Sequence, residues 1–409
     1  MATLDFVHTL AFAGLVLFAG HRIKRAVRPL ARYNIPAPVI GGLLVALAIL
    51  VARHWGLTLV RFDTALQTPL MIAFFTSIGF GASLRLLRTG GPAVVVFLLL
   101  ATVVAVAQNV TGVLTASALG QHPLMGVLAG SVTLTGGPAT GLAFAPLFEK
   151  AGVPGAATLA VAAAMVGIVA GGLLGGPIAT FLIERRRLRV PGALSPQRTA
   201  AATLDPLDEP AEPSGAAPAR EDVGAYALLK AIVAILLAMW VGAWLSQAFA
   251  TMGLTLPAYI GAMLVASVGR NLDDRTGFFG LSQRLLDDLG HIALSLFLVL
   301  ALMTLRLWEL AGLALPLALM LAVQVALVGV LCVGPVFRLM GRDYEAAVMS
   351  SGFCGFMLGT TANAMANMGA LVERYGPAPR AFLVVPMVGA FFIDFTNALI
   401  ITVFLNLWR

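Results

Sequence analysis

The chain has 409 residues, of which 59% are hydrophobic and 11% are charged, and its formal net charge is +7. Soluble domains carry about 25% charged residues, so the composition excludes an ordinary water-soluble protein and indicates a chain that folds inside a lipid bilayer. Basic residues of membrane proteins concentrate in short cytoplasmic loops. The positive charge therefore predicts a membrane orientation, and we expect no nucleic-acid partner.

Ten apolar segments are candidates for crossing the bilayer, which takes about 20 helical residues. Five of them precede a polar middle region and five follow it. In chain order they are residues 4–20, 35–52, 67–84, 93–119, 157–183, 224–250, 256–270, 288–305, 312–335 and 380–406. The sequence therefore predicts an all-α membrane protein with about ten transmembrane helices.

The first apolar segment is expected to stay in the protein as a helix that starts outside the cell. Asp5 lies near its start and a basic cluster, residues 22–32, follows it, whereas a cleaved signal peptide has the opposite order. With this orientation most of the 26 Lys and Arg residues fall in cytoplasmic loops, as membrane proteins require. Both termini are then expected outside, and the polar middle in the cytoplasm.

The two halves of the chain repeat short motifs at a constant spacing. Ile35–Ala37 recurs as Leu256–Ala258, and Ser83–Arg85 recurs as Thr304–Arg306, each time 221 residues later. Because each half has an odd number of crossings, the second half enters the membrane from the opposite face. This predicts two inverted-topology repeats of five helices.

The repeats are expected over residues 1–189 and 224–409. Residues 190–223 between them contain six prolines among Ala, Asp and Glu. Such a segment cannot bury enough apolar surface to become ordered. We interpret it as a disordered cytoplasmic linker.

Two further segments, about 122–148 and about 346–370, are too polar and glycine-rich for helices that face lipid. Broken backbone at membrane depth is tolerated only where protein buries it or where it lines a wet cavity. We predict one re-entrant hairpin per repeat, whose helix N-termini attract a carboxylate and whose freed oxygens coordinate sodium. The alternative is that the small residues only allow close helix packing. The matched positions in the two halves favour a functional pair.

The candidate site residues lie in these hairpins and in the last span. The candidate substrate-binding residues are Thr135, Gly136, Gly137, Thr140, Gly141, Thr360, Thr361, Asn363 and Asn367. The candidate ion-binding residues are Ser131, Thr133, Asp394 and Asn397. Asp394 is the central candidate, because a carboxylate near mid-membrane by default marks an ion site. Its alternative role is a structural partner of the second hairpin. Gln108 and Asn109 are weaker candidates, because amides in a membrane span often only tie helices together.

Enzymatic chemistry is not expected. The chain has no P-loop, no Gly-x-Ser-x-Gly, no His-Glu-x-x-His and no dinucleotide fingerprint, so neither ATP hydrolysis nor a redox cofactor is indicated. Its five histidines are scattered without an i, i+4 pair, which argues against a metal site other than one for sodium. An ion gradient is the remaining driving force, with sodium as the expected coupling ion and no cofactor.

Three stretches resemble the bacterial sodium/glutamate symporter family: Tyr33–Val39, Thr68–Phe75 and Ala381–Asp394. The likeness runs over nearly the whole chain. It implies sodium-driven uptake of glutamate or a similar anionic amino acid across the inner membrane. It also implies hairpins that meet at the centre and a homodimer that moves by an elevator mechanism.

The chain departs from the family pattern in both hairpins. The family's first hairpin reads Gly-Gly-His-Gly-Thr-Gly, whereas Pro138 and Ala139 occupy the third and fourth positions here. In the second hairpin Phe353 stands where a histidine is expected, and Ala362 where a proline is expected. Two alternatives therefore stay open: a carrier for another carboxylate, with proton coupling as one option, and a transport-inactive membrane receptor.

Overall fold

The computed structural model describes residues 2–56, 60–85, 91–188, 221–251, 258–277, 279–310 and 312–408. The described chain is almost entirely helical. The predicted linker, residues 190–223, lies outside the described residues up to position 220. Its last three residues already belong to a helix that starts at Glu221, so this helix begins earlier than expected.

The helices follow one another along the chain, with a few short turns of other helical types between them. They are α1 (Phe6–Ala26), α2 (Arg28–Arg32), α3 (Ala37–His54), α4 (Gln67–Gly81), α5 (Gly91–Ala118), α6 (Pro123–Val127), α7 (Gly137–Lys150), α8 (Ala156–Arg186), α9 (Glu221–Thr251), α10 (Ala258–Thr276), α11 (Gln283–Met303), α12 (Ala314–Leu331), α13 (Phe337–Leu339), α14 (Tyr344–Leu358), α15 (Thr361–Tyr375), α16 (Pro379–Met387) and α17 (Ile393–Leu407). Three turns are π-helical, at Leu128–Val132, Cys332–Val336 and Val388–Phe392, and Leu307–Leu310 is a 3₁₀ turn.

Helix starts follow ordinary capping chemistry. The side chain of Asp5 accepts the backbone N–H of His8 at 2.9 Å at the start of α1. The side chain of Asp343 accepts the N–H of Ala346 at 2.7 Å at the start of α14. A carboxylate at a helix N-terminus satisfies free N–H groups and opposes the helix dipole.

Seven helices in the described part of the chain are long and apolar enough to cross a membrane. They are α1, α3, α5, α8, the Gly224–Phe249 part of α9, α11, and the Ala314–Leu339 stretch that α12 begins. The other three predicted spans coincide with α4, which has 15 residues, with α10, and with α16 and α17, which a π-helical turn separates. The chain is a multi-pass α-helical membrane protein, and the count of ten crossings stays a prediction.

Two short strands were not predicted. β1 (Ala2–Leu4) and β2 (Val60–Phe62) pair in parallel, with Thr3 opposite Arg61. Next to this pair, the hydroxyl of Thr9 in α1 accepts the N–H of Asp63 at 3.2 Å. The strands tie the loop before α4 to the start of α1.

The helices pack in two groups. Group I consists of α1, α3, α4, α9, α10 and α11, and group II consists of α5 to α8 and α12 to α17. An apolar cluster lies where the groups meet, with Val39 and Phe297 from group I against Leu142 and Val161 from group II. Apolar side chains therefore make up much of the contact between the groups.

Within group II, α5 and α6 approach each other at backbone contact. A methyl group added to Gly112 would overlap the carbonyl oxygen of Gly126, and a methyl group on Gly126 would overlap the carbonyl oxygen of Gly112. Glycine pairs of this kind let helices in membranes pack closely. The contact holds α6 and the turn after it against α5.

Replacing Gly126 by alanine is expected to lower the free energy of unfolding by about 1–3 kcal/mol, because the overpacked contact forces two backbones apart. The measurement is unfolding of the purified protein in lipid nanodiscs. Gly329→Ala in α12 is the matched control, since a methyl group there meets no atom of the described residues outside its own helix within 4 Å. Equal stability of the two variants would contradict the close approach.

Candidate functional site

The first helical break lies between α6 and α7. The π-helical turn Leu128–Val132 contains Gly130 with φ −99° and ψ −130°, outside the helical region. The chain then turns, and α7 starts at Gly137, whose φ is +67°. A positive φ favours glycine, and Pro138 in the first turn of α7 has no N–H to lose. The Gly-Gly-Pro sequence therefore fixes this break.

The second break is shorter than the sequence indicated. α14 runs without interruption to Leu358, and only Gly359 and Thr360 are non-helical before α15. The hydroxyl of Thr360 caps α15 by accepting the N–H of Asn363 at 3.3 Å. The polar stretch that suggested a longer break is helical because α14 is buried over its whole length and does not face lipid.

The two breaks are in contact. A Cβ atom built on Gly137 would lie 3.6 Å from the carbonyl oxygen of Gly359. The hydroxyl of Thr135 lies 3.8 Å from the sulfur of Met357. Helices α7 and α15 therefore both begin at this contact, one on each side of it.

Gln108 of α5 bonds to both sides of this contact. Its Oε1 accepts the hydroxyl of Thr135 at 2.7 Å, and its Nε2 donates to the carbonyl of Met357 at 3.0 Å. Gln324 of α12 donates to the backbone carbonyl of Gln108 at 2.6 Å. Both glutamines are fully buried.

A polar cluster surrounds Ser131 in the first break. Asn109 Oδ1 accepts the N–H of Ser131 at 3.0 Å, and Asn397 of α17 donates through Nδ2 to the carbonyl of Ser131 at 2.9 Å. The Ser131 hydroxyl and Asn397 Oδ1 are buried without a hydrogen-bond partner among the described residues. Unpartnered buried oxygens on two hydrogen-bonded residues are suited to a dehydrated cation.

Two asparagines of α15 face α8. Asn363 Nδ2 donates to the carbonyl of Ile168 at 2.7 Å, and Asn367 Nδ2 donates to the carbonyl of Gly171 at 2.9 Å. A methyl group on Gly175 would overlap the Asn367 amide. Both asparagines therefore bind α15 to α8, and neither amide nitrogen points to the contact between the breaks.

Asp394 follows the π-helical turn Val388–Phe392. Thr361 of α15 donates to the carbonyl of Gly389 in that turn at 2.9 Å. The Asp394 side chain is half-buried and makes no hydrogen bond or ion pair with any described residue. A carboxylate in apolar surroundings needs a cation or a proton.

The remaining predicted residues lie around the first break. The hydroxyl of Thr133 donates to the carbonyl of Leu128 at 2.7 Å, and the N–H of Gly136 donates to the carbonyl of Ser131 at 3.0 Å. Thr140 is buried next to Gly136. A methyl group on Gly141 would lie 2.9 Å from Cβ of Ala160 in α8, so Gly141 packs against α8 and not at the contact.

Sequence reasoning underrated the amides. Gln108 and Asn109 are more than ties between helices, because they hold opposite ends of the first break, and Gln324 and the buried Ser351 were not singled out. The available signal was a lone amide inside an otherwise apolar span, which is costly unless it has a partner. Gln108, Asn109 and Gln324 all carry that signal.

Buried helical breaks that meet inside a multi-pass membrane protein are typical of secondary transporters, whose substrate sites use discontinuous helices. The sequence model of the sodium/glutamate symporter family matches residues 2–377. Sodium/glutamate symporters of Escherichia coli (strain K12) and Haemophilus influenzae are 42% and 40% identical to the chain. The matches cover 100% and 98% of this chain and 99% and 97% of the two relatives. The chain belongs to the sodium/glutamate symporter family, as its resemblance predicted.

Asn397→Leu is expected to lower the free energy of unfolding by about 0.5–1.5 kcal/mol, because the Ser131 carbonyl loses one of its two donors and keeps only the N–H of Gly136. The measurement is unfolding in nanodiscs. Thr402→Val is the matched control, since Thr402 lies on the same helix and its hydroxyl donates to Ala398 of that helix at 2.8 Å. A loss for Asn397→Leu no larger than that of the control would show that the Ser131 contact contributes nothing.

Proposed function

We propose that the chain is a sodium-coupled symporter that takes up glutamate or a similar anionic amino acid. Membership of a symporter family means that it is a transporter and not an enzyme. The observation that carries the proposal is the contact between two buried breaks, at Gly137 and Gly359. The two relatives reported above support the proposal, because both are named sodium/glutamate symporters.

The substrate is proposed to bind at this contact. Helices α7 and α15 have 14 and 15 residues, long enough for their N-termini to attract carboxylate groups. Gly136 and Gly137 have no side chain to keep a ligand from the backbone. The candidates proposed to bind the substrate are Gly136, Gly137, Thr140, Thr360 and Thr361. Gly141, Asn363 and Asn367 face α8, and the Thr135 hydroxyl donates to Gln108, so these four are not retained.

Sodium is proposed to bind beside the first break and the last helix. The proposed ligands are oxygen atoms of Ser131, Thr133, Asp394 and Asn397. Support comes from the unpartnered oxygens of Ser131 and Asn397. Asp394 supplies the negative charge that favours a cation over water at this depth.

The two halves are proposed to be inverted repeats of five helices, each with a re-entrant hairpin. Helices α3 and α10 begin 221 residues apart, and so do α6 and α14, which matches the spacing of the repeated motifs. With both termini outside and the linker in the cytoplasm, the first hairpin enters from outside and the second from inside. The proposed location is the bacterial inner membrane.

An elevator movement of group II against group I is proposed. Both breaks and their partners Gln108, Asn109 and Asn397 belong to group II, so the site moves as one body. The apolar contact between the groups has few directional bonds to resist sliding. A homodimer held through group I would keep that group still in the bilayer.

One departure from the family pattern lies away from the contact. Phe353 is fully buried and packs edge-on against Phe97 of α5, with ring centroids 5.2 Å apart. The histidine missing at this position therefore bears on packing with α5. Pro138, at the start of α7, is the substitution that bears on the substrate, and it favours testing other carboxylates beside glutamate.

Uptake of labelled glutamate into proteoliposomes is expected to need an inward sodium gradient. Potassium or choline in place of sodium should abolish it, and a proton gradient alone should not restore it. A panel of dicarboxylates and amino acids, added as competitors, identifies the substrate. Uptake driven by protons, competition only by other carboxylates, or no uptake of any compound would each overturn the proposal.

Asp394→Asn is expected to lower sodium-dependent uptake at least about tenfold, because the neutral amide cannot balance a desolvated cation. Asp63→Asn is the matched control: Asp63 is exposed in the loop before α4 and accepts the N–H of Ala65 at 2.9 Å. The control should transport like the wild type. Unchanged sodium dependence in Asp394→Asn would remove Asp394 from the ion site.

A further inference from the structure

The side chain of Gln108 bonds both to the first break, at Thr135, and to the last turn of α14 before the second break, at Met357. The Met357 carbonyl accepts only, so the amide nitrogen must face it and the amide oxygen must face Thr135. The orientation of the amide is therefore fixed by its partners. The Thr135 bond spans 27 positions and the Met357 bond spans 249, so each bond joins a different hairpin to α5.

The neighbouring residue extends this arrangement. Asn109 accepts the N–H of Ser131 at 3.0 Å, and Ser131 also bonds to Asn397. One turn of α5 thus holds the start of the first break through Asn109 and its end through Gln108. The same turn of α5 contacts the second hairpin through the bond from the Gln108 amide to the Met357 carbonyl. Two sets of buried hydrogen bonds, Asn397–Ser131–Asn109 and Thr135–Gln108–Met357, are thus joined through the backbone of the adjacent residues Gln108 and Asn109.

We propose that Gln108 is a positioning residue that couples sodium binding to substrate binding, by transmitting a shift of Ser131 to the tip of the second hairpin. The inference rests on the proposed function and deepens it. Gln108 is not a substrate ligand, because its Nε2, its Oε1 and its backbone carbonyl all have partners and the residue is fully buried.

The same chain of bonds changes the role of Thr135. Its hydroxyl is directed to Gln108 and lies near the Met357 sulfur, and the residue is buried. A hydroxyl has one proton to donate, and here that proton is used within the buried network and not for a ligand. Thr135 therefore acts as the hairpin end of the bridge.

The simpler alternative is that the amide only holds helices together, as buried polar residues do in membranes. A tie of that kind stabilises the protein equally with and without sodium. Coupling is different, because it changes the effect of one ligand on the affinity for the other. The test must therefore measure substrate affinity at two sodium concentrations.

The experiment is glutamate binding to the full-length protein in nanodiscs, by titration at about 1 mM and about 100 mM sodium. The variants are Gln108→Met, which removes both bonds at similar volume, and Thr135→Val, which removes one. Thr115→Val is the matched control, because Thr115 lies on α5 and bonds to carbonyls of its own helix at 2.8 and 2.9 Å. Unfolding without ligand is measured for every variant.

In the wild type, sodium is expected to tighten glutamate binding within the typical coupling range of about 5–150-fold. Gln108→Met should lose most of this factor while its affinity at low sodium stays within about threefold of the wild type, and Thr135→Val should lose part of it. The double variant should lose no more than Gln108→Met, since both act on one bridge. Thr115→Val should keep the full factor.

Three outcomes overturn the inference, and they are distinguishable. A wild type without sodium-dependent binding removes the proposed function and the inference together. A coupled wild type with an equally coupled Gln108→Met removes the inference alone. An equal loss of affinity at both sodium concentrations makes Gln108 a structural tie. If Gln108→Met does not fold, Thr135→Val carries the same test.

Discussion

Every backbone group that leaves a helix inside this protein needs a partner within the protein, since hydrocarbon offers none. The breaks at residues 128–136 and 359–360 free such groups at two places. Side-chain amides supply the partners: Asn109 and Asn397 hold the N–H and the carbonyl of Ser131, and Gln108 holds the carbonyl of Met357. These bonds allow irregular backbone to persist in an apolar interior, and they also bring the two breaks together.

The same constraint shapes the neighbouring helices. α8 offers its carbonyls at Ile168 and Gly171 to the asparagines of α15, and Gly175 leaves room for the Asn367 amide. These α8 carbonyls also accept bonds within α8, so α15 gains hydrogen bonds without breaking that helix. Gly175 is therefore required by the Asn367 amide, whereas Gly167 lets α8 approach the carbonyl of Leu358 in α14.

The fold was predictable to the extent that local chemistry sets it. The long apolar spans, the break at Gly136–Pro138 and the family resemblance followed from the sequence, and the family match confirms the last of these. The extent of α14 and the bridging role of Gln108 did not follow. Whether a segment such as α14 forms a continuous helix depends on the helices that bury it, and the partners of Gln108 are 27 and 249 positions away. Both features depend on tertiary contacts that a sequence pattern does not contain.

The net charge of the proposed site affects the free-energy cost of the proposed movement. A body that carries a carboxylate across an apolar contact does so at least cost when its net charge is near zero. Glutamate brings one net negative charge and Asp394 brings another, so a single sodium ion leaves the loaded site with one net negative charge. Two cations, or one sodium ion and a proton on Asp394, remove it. In the proposed mechanism the Asp394 carboxylate therefore sets how many positive charges must accompany each substrate.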